Sequence, residues 1–172
     1  MSKHKFDCGL FIGRFQPFHK GHFHVIKHAL KQCDKLVIGI GSDNIIDNKN
    51  PIDAKTRELI IRKSIIEWGV EDKRITIVHI SDYPDNDNLW FENLCKISPK
   101  FDVLFSGNEH VIKILTSHGI KAIKPKQLFR SSLSGTIIRE RIRKGDKLSG
   151  EIAQSVEELI YSKINMTTND IK

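Results

Sequence analysis

The chain has 172 residues, a size for one domain, with 39% hydrophobic residues, 28% charged residues and a formal net charge of +7 at pH 7. Charges of both signs are interspersed, which argues against a disordered tail, and no apolar run approaches membrane-spanning length. Cys8, Cys33 and Cys95 form no C-x-x-C pair, and their odd number argues against a disulfide framework. Reduced thiols are expected. Met1–Lys5 leads into no signal-length apolar segment, so the expected location is cytoplasmic. Basic residues recur along the whole chain without an aromatic-interleaved cluster, which ranks a phosphate pocket on an ordinary basic surface above a nucleic-acid platform.

The apolar run Cys8–Ile12 predicts a buried strand, and the helical pattern Phe23–Leu30 leads to a second run, Lys35–Ile40. Together they predict a β-α-β unit with parallel strands. A polar loop with Pro51 spans Ile45–Asp53. A helix capped by Asp53 runs to about Trp68, which reads as a packing residue. A third strand is expected over Arg74–Ile80, then a turn-rich stretch, a helix from Leu89 to Ile97 and a fourth strand over Asp102–Phe105. Further expected elements are a helix over Glu109–Ser117, a short strand over Ile120–Ile123, and a helix over Ile137–Arg143 opened by Ser134-Gly135-Thr136. A last helix, Glu151–Ile164, precedes a frayed polar tail. This alternation predicts an α/β doubly wound parallel sheet of about five strands with a C-terminal helical segment. One domain is expected over 1–172, with its core over 6–130, helices over 131–164 and a tail over 165–172.

Ligands of such sheets sit beyond the carboxyl ends of the strands. Here those ends carry Gly13-Arg14-Phe15, Gly41-Ser42-Asp43, Ser81-Asp82 and Ser106-Gly107-Asn108. Directly after the first strand comes His19-Lys20-Gly21-His22. Histidines three apart at a helix start can point the same way, at a terminus whose unpaired N–H groups attract anions. A surface pair or a metal pair are the alternatives, though no third ligand is evident. Neither a P-loop nor a G-x-G-x-x-G follows the first strand. Ser134 and Thr136 could donate to phosphate oxygens, with Arg139 one turn on; simple capping by Ser134 with surface arginines is the plainer reading of that segment taken alone.

Gly13-Arg14-Phe15-Gln16-Pro17-Phe18-His19-Lys20-Gly21-His22, taken with Leu133-Ser134-Gly135-Thr136-Ile137-Ile138-Arg139, resembles the H-x-G-H nucleotidyltransferase superfamily. The G-R-F-Q-P-F-H form is similar to the archaeal-type nicotinamide mononucleotide adenylyltransferases. Gly39–Ser42, Asp82 through Asn88-Leu89-Trp90, and Phe101-Asp102 through Ser106-Gly107-Asn108 extend the likeness from about Gly9 to Arg143.

The resemblance implies a Rossmann-like enzyme that joins nicotinamide mononucleotide (NMN) to ATP, giving NAD and pyrophosphate, with Mg²⁺ travelling with ATP. Its implied catalytic residues are His19, His22, Arg14 and Arg139. Gly13, Phe15, Gly41, Gly107, Asn108, Ser134 and Thr136 would join them around ATP, and Phe15, Lys49, Asp82, Asn88 and Trp90 around NMN. Trp90 would stack on the pyridine ring, or anchor its helix by packing alone. Asp82 would orient the carboxamide, or merely cap its loop. Two departures stand out. Lys49 falls where the family has an arginine, and the Pro84–Asn88 segment is one residue longer. A homo-oligomer is implied, with a hexamer as one form. Rival readings are an adenylyltransferase for phosphopantetheine or FMN, a non-catalytic nucleotide-binding regulator, and a basic nucleic-acid-binding domain.

Overall fold

The computed structural model describes residues 4–126 and 133–169, with side chains up to 166 in the last helix. Residues 1–3, 127–132 and 170–172, which belong to the expected start, the end of the core with the beginning of the C-terminal segment, and the tail, lie outside the described residues. Contacts group the chain into two compact units. The first comprises Met1–Gly13, His24–Asp43 and Lys73–Gln127, and the second Arg14–Phe23, Asn44–Asp72 and Leu128–Lys172.

The first unit holds the whole sheet: β1 (Phe6–Gly13), β2 (Cys33–Gly41), β3 (Ile75–Ile80), β4 (Val103–Phe105) and β5 (Lys121–Ile123). All neighbouring pairs are parallel, in the order β3-β2-β1-β4-β5. β1 is central, and its run Cys8–Ile12 is apolar, as suits a strand covered on both faces. Alternate side chains serve opposite faces. Cys8, Leu10, Val37, Val78, Ile80 and Leu104 pack with Leu94 of α3 (Asp87–Ile97) and Val111, Ile114 and Leu115 of α4 (Glu109–Ser117). Residues of the other parity, Phe11, Leu36, Ile38, Ile40, Val103 and Phe105, are equally buried, and the Phe105 ring meets His28 of α1 (Lys20–Leu30) edge-on. Arg74 donates to the carbonyls of Leu30, Cys33 and Asp34, which ties the end of α1 to the start of β3. The sheet order reverses beside β1, so Gly13, Gly41, Ser81-Asp82 and Ser106-Gly107-Asn108 stand at the carboxyl ends, as the sequence predicts.

The second unit is built from α2 (Ala54–Glu67), α5 (Gly135–Arg143), α6 (Glu157–Asn169) and the loop of 14–19. Asp53 caps α2 as expected, accepting from the Thr56 N–H at 2.9 Å, and its other oxygen takes the Lys163 ammonium of α6 at 3.0 Å. Trp68 ends α2 and packs between Phe18 and Phe23, in agreement with its assignment to packing.

Several boundaries differ from the sequence reading, and α1 begins at Lys20, three residues before the expected Phe23. β3 begins after Arg74, which sits in a short 3-10 turn. α3 begins at Asp87 under an Asn86 cap, so Asn88 is helical. The last helix starts at Glu157, not Glu151, and continues through Asn169. The cause is tertiary: Glu67 of α2 accepts the N–H groups of Gln154 and Ser155, which holds a separate 3-10 turn at Gln154–Val156. No helix among the described residues is long and apolar enough to cross a membrane.

Candidate active site

In the second unit the H-x-G-H stretch has a defined local logic. α1 begins at Lys20, so His19 stands immediately before the helix, its carbonyl accepting the Phe23 N–H at 3.1 Å. The Gly21 N–H donates to His19 Nδ1 at 3.1 Å, and the His19 N–H donates to His22 Nδ1 at 3.3 Å. The rings stack with centroids 3.7 Å apart and planes 27° off parallel. Each Nδ1 is an acceptor, which fixes the proton of each neutral ring on Nε2. Burial lowers the His19 pKa to about 4. Burial, with His19 as neighbour, also holds His22 well below the usual imidazole value. At neutral pH the pair is therefore two uncharged rings, each with an Nε2–H donor.

Gly21 is required by the same geometry. A Cβ there would sit 2.8 Å from His19 Cε1 and 2.9 Å from Nδ1, and the stacked His22 ring leaves His19 little room to retreat.

The loop before the histidines is bent. Phe15 has φ of +52° and is only 1% exposed, its ring set edge-on to His22 at 4.9 Å and tilted against Phe18. Gln16 is buried and exchanges two hydrogen bonds with the Ile52 backbone, Nε2 to the carbonyl at 2.8 Å and N–H to Oε1 at 3.0 Å. Arg14 is exposed.

From the other end of the sequence, Ser134 caps α5 by accepting the Ile137 N–H at 3.3 Å, which matches its simple capping reading. Gly135 lets the helix approach: a Cβ there would lie 2.6 Å from the Gln16 carbonyl oxygen. Arg139, 8% exposed, donates from Nη1 to that carbonyl at 2.6 Å and from Nη2 to the exposed Thr136 hydroxyl at 3.3 Å. Among the described residues its buried Nε–H has no acceptor. Burial lowers its pKa, and the nearby Arg143 and Arg14 guanidiniums add to that. Arg143 donates to the Asn48 carbonyl at 2.8 Å, in the turn that carries exposed Lys49. Asp47 organises that turn by accepting from the N–H groups of Lys49 and Asn50.

The structure sets Phe15 edge-on to His22 and stacks His22 on His19, and on α5 it joins Arg139 to the Thr136 hydroxyl and to the Gln16 carbonyl of the loop before the histidines; Ser134 caps the same helix, and Arg14 is close enough in charge to perturb Arg139. Of the remaining sequence candidates, Lys49 lies in the second unit and the others belong to the first. Gly13 and Gly41 end β1 and β2. Gly107 is half-buried, and Asn108 caps α4 by accepting the His110 N–H at 3.0 Å. Asp82 is half-buried after β3, Asn88 is exposed, and half-buried Trp90 packs partly on the sheet core beside Phe91.

Sequence reasoning passed over Arg57 and Gln16 as individual site residues. Arg57 is fully buried and donates from Nη1 to the Arg14 carbonyl at 2.8 Å. A signal existed: Arg57 shares the helical spacing of buried Ile60, Ile61 and Ser64, an apolar stripe where a charge is out of place. Among the described residues no group of three or more His, Cys, Asp or Glu side chains is arranged to hold a metal ion.

A family model described as cytidylyltransferase-like matches residues 10–141. The nicotinamide-nucleotide adenylyltransferase of Archaeoglobus fulgidus is 35% identical over 154 residues, covering 87% of this chain and 88% of the relative. The protein of the same name from Saccharolobus solfataricus is 36% identical over 153 residues, covering 88% of each. Among solved structures, a bifunctional NMN adenylyltransferase/ADP ribose pyrophosphatase from Francisella tularensis shares the fold, with a TM-score of 0.77 at 24% identity over 95% of this chain; the chain spans 50% of that longer protein. The chain therefore belongs to the cytidylyltransferase-like family, among the nicotinamide-nucleotide adenylyltransferases of archaeal type.

Proposed function

We propose that the protein transfers the adenylyl group of ATP to nicotinamide mononucleotide, a step of NAD biosynthesis. A phosphate oxygen of NMN attacks the α-phosphorus of ATP. The bond from that phosphorus to the bridging oxygen of the β-phosphate breaks, pyrophosphate leaves, and NAD results. No covalent enzyme intermediate is needed, so the protein's work is positioning and charge stabilisation.

The observation that carries this reading is the paired Nε2–H donors of His19 and His22, held neutral by burial and oriented by backbone N–H groups. Such donors suit phosphate oxygens that gain charge in the transition state, and they cost no reorganisation. Arg139 supports it: a buried guanidinium with an unmatched Nε–H, near Arg143 and Arg14 and, more weakly in effect, Glu140 and Asp47, suits an anion. In this assignment Arg14 and Arg139 face the phosphates, with Ser134 and Thr136 toward their outer oxygens. Gly13, Gly41, Gly107 and Asn108, with the Phe15 main chain, line the rest of ATP. Lys49, Asp82, Asn88, Trp90 and Phe15 serve NMN, with Trp90 stacked on the cationic pyridine ring.

Mg²⁺ enters as part of the nucleotide, ligated by phosphate oxygens, so MgATP is the substrate. The reading treats residues 1–172 as one nucleotidyltransferase domain. It further includes a cytoplasmic homo-oligomer, with a hexamer as the state to look for by light scattering.

The test offers MgATP with NMN, nicotinate mononucleotide, phosphopantetheine and FMN in separate reactions and follows pyrophosphate release. The expected result is robust turnover with NMN and formation of NAD. Robust turnover with phosphopantetheine or FMN and none with NMN overturns the assignment.

A further inference from the structure

Phe15 holds a backbone conformation that bulky L-residues avoid, with φ of +52° and its ring buried. Such an outlier persists only where the surroundings over-determine it. The carbonyl just before Phe15 and the carbonyl just after it are each held by a buried arginine. Arg57 of α2 donates to the Arg14 carbonyl at 2.8 Å, and Arg139 of α5 donates to the Gln16 carbonyl at 2.6 Å. The Gln16 side chain, bonded twice to the Ile52 backbone, fastens the same loop to the segment entering α2.

Arg57 is 0% exposed and lies on the apolar stripe of α2. For packing alone, an apolar side chain of similar length would serve that position at least as well, because a buried cation carries a large desolvation cost. Arg57 Nη1 donates to the Arg14 carbonyl, the one immediately before the strained residue. The Phe15 ring in turn rests edge-on against His22.

We infer that Arg57 is a positioning residue for adenylyl transfer: by gripping the Arg14 carbonyl it fixes the Phe15 bend, and through it the placement of Arg14 and His22. This rests on the proposed function above. Arg57 touches no reacting atom. Its effect passes through the loop, and a displacement of about 1 Å in a reacting geometry is worth roughly 100-fold in rate.

The experiment compares the wild-type chain with Arg57→Met, Arg57→Gln and Arg57→Lys. It measures thermal melting, kcat and KM for MgATP and for NMN, and amide hydrogen exchange at Phe15 and Gln16. The expected result for Arg57→Met is a cooperative fold, a kcat lowered about 10- to 100-fold, a KM for NMN within about twofold of wild type, and faster exchange at both amides. Arg57→Lys, which keeps a charged donor without the fork, recovers part of the loss. Should Arg57→Met not fold, Arg57→Gln decides by the same readouts. A folded variant with wild-type kcat and unchanged exchange overturns the inference, as does one that only melts earlier. Absence of NAD formation by the wild-type chain overturns the proposed function instead, and amide exchange, which needs no turnover, still decides on Arg57.

Discussion

His19 and His22 lie ring on ring, centroids 3.7 Å apart, and each has its Nδ1 occupied by a backbone N–H. The pair can act on a ligand only through Nε2, and as neutral rings they are donors, not acids. Replacing either with alanine should lower kcat about 100-fold or more, the value of a positioned transition-state donor. The choice of amide replacement is more telling. Glutamine can bring an N–H near the Nε2 position, whereas the shorter asparagine reaches only to that of Nδ1. Glutamine variants should therefore recover roughly tenfold over alanine and asparagine variants should not, as measured by initial rates of NAD formation.

Acid should destabilise the protein through the same pair. Burial sets the His19 pKa to about 4 against 6.5 for an exposed imidazole, and His22 is lowered as well. Between those values the unfolded chain binds protons that the folded chain refuses, so stability falls as pH drops below about 6.5 and levels off once the folded pKa is passed. The His19 shift corresponds to ~3 kcal/mol. Thermal melting at pH 7.5 and pH 5 should show the loss, and His19→Gln should reduce it. An unchanged pH dependence in that variant would show that His19 is not the source.

Gly21→Ala should separate geometry from chemistry. The new methyl would occupy space 2.8 Å from His19 Cε1 and push the ring off the His22 stack while leaving both imidazoles present. A kcat loss of about 10-fold or more with both histidines intact is the expected outcome, read beside thermal melting. Wild-type kcat would mean that the stacked arrangement is dispensable.

Trp90→Ala should mainly raise KM for NMN and leave KM for MgATP little changed, since a cation over an indole face is worth about 1–2 kcal/mol when desolvated. Trp90 also packs on the sheet core, so some loss of melting temperature will accompany the change. Trp90→Phe should keep the packing and lose part of the ring contact. Equal KM values for NMN in the wild-type and alanine proteins would return Trp90 to a packing role.

What could be read from the sequence was what is locally encoded. The first four strands are apolar runs closed by glycine or serine, and every strand lies within two residues of its expected bounds. The caps Asp53 and Ser134 were legible because a side chain that bonds an N–H three residues on writes its own signature. Helix starts were less so, because first turns such as Lys20-Gly21-His22 and Asp87-Asn88 are polar and look like loop. The last helix was misread because Ile152, Ala153 and Val156 mimic an amphipathic face, while the deciding contact comes from Glu67, far back in the chain. The histidine pair is visible by its spacing, and the resemblance pairs it with the Ser134–Arg139 element, but the bond from Arg139 to the Gln16 carbonyl is not legible. That contact joins residues 123 apart through a main-chain carbonyl, which carries no side-chain identity to read.

The second unit is assembled from three separated stretches of chain, and its bent loop near residue 15 is fastened by a helix that begins at residue 135. A ribosome makes the loop early and the helix late. For most of synthesis the histidines exist without the arginine that braces the residues before them, so the nascent chain has all five strands before it has that brace. Folding order thus guards chemistry: a chain stalled between residues 123 and 139 carries all five strands and yet lacks the brace.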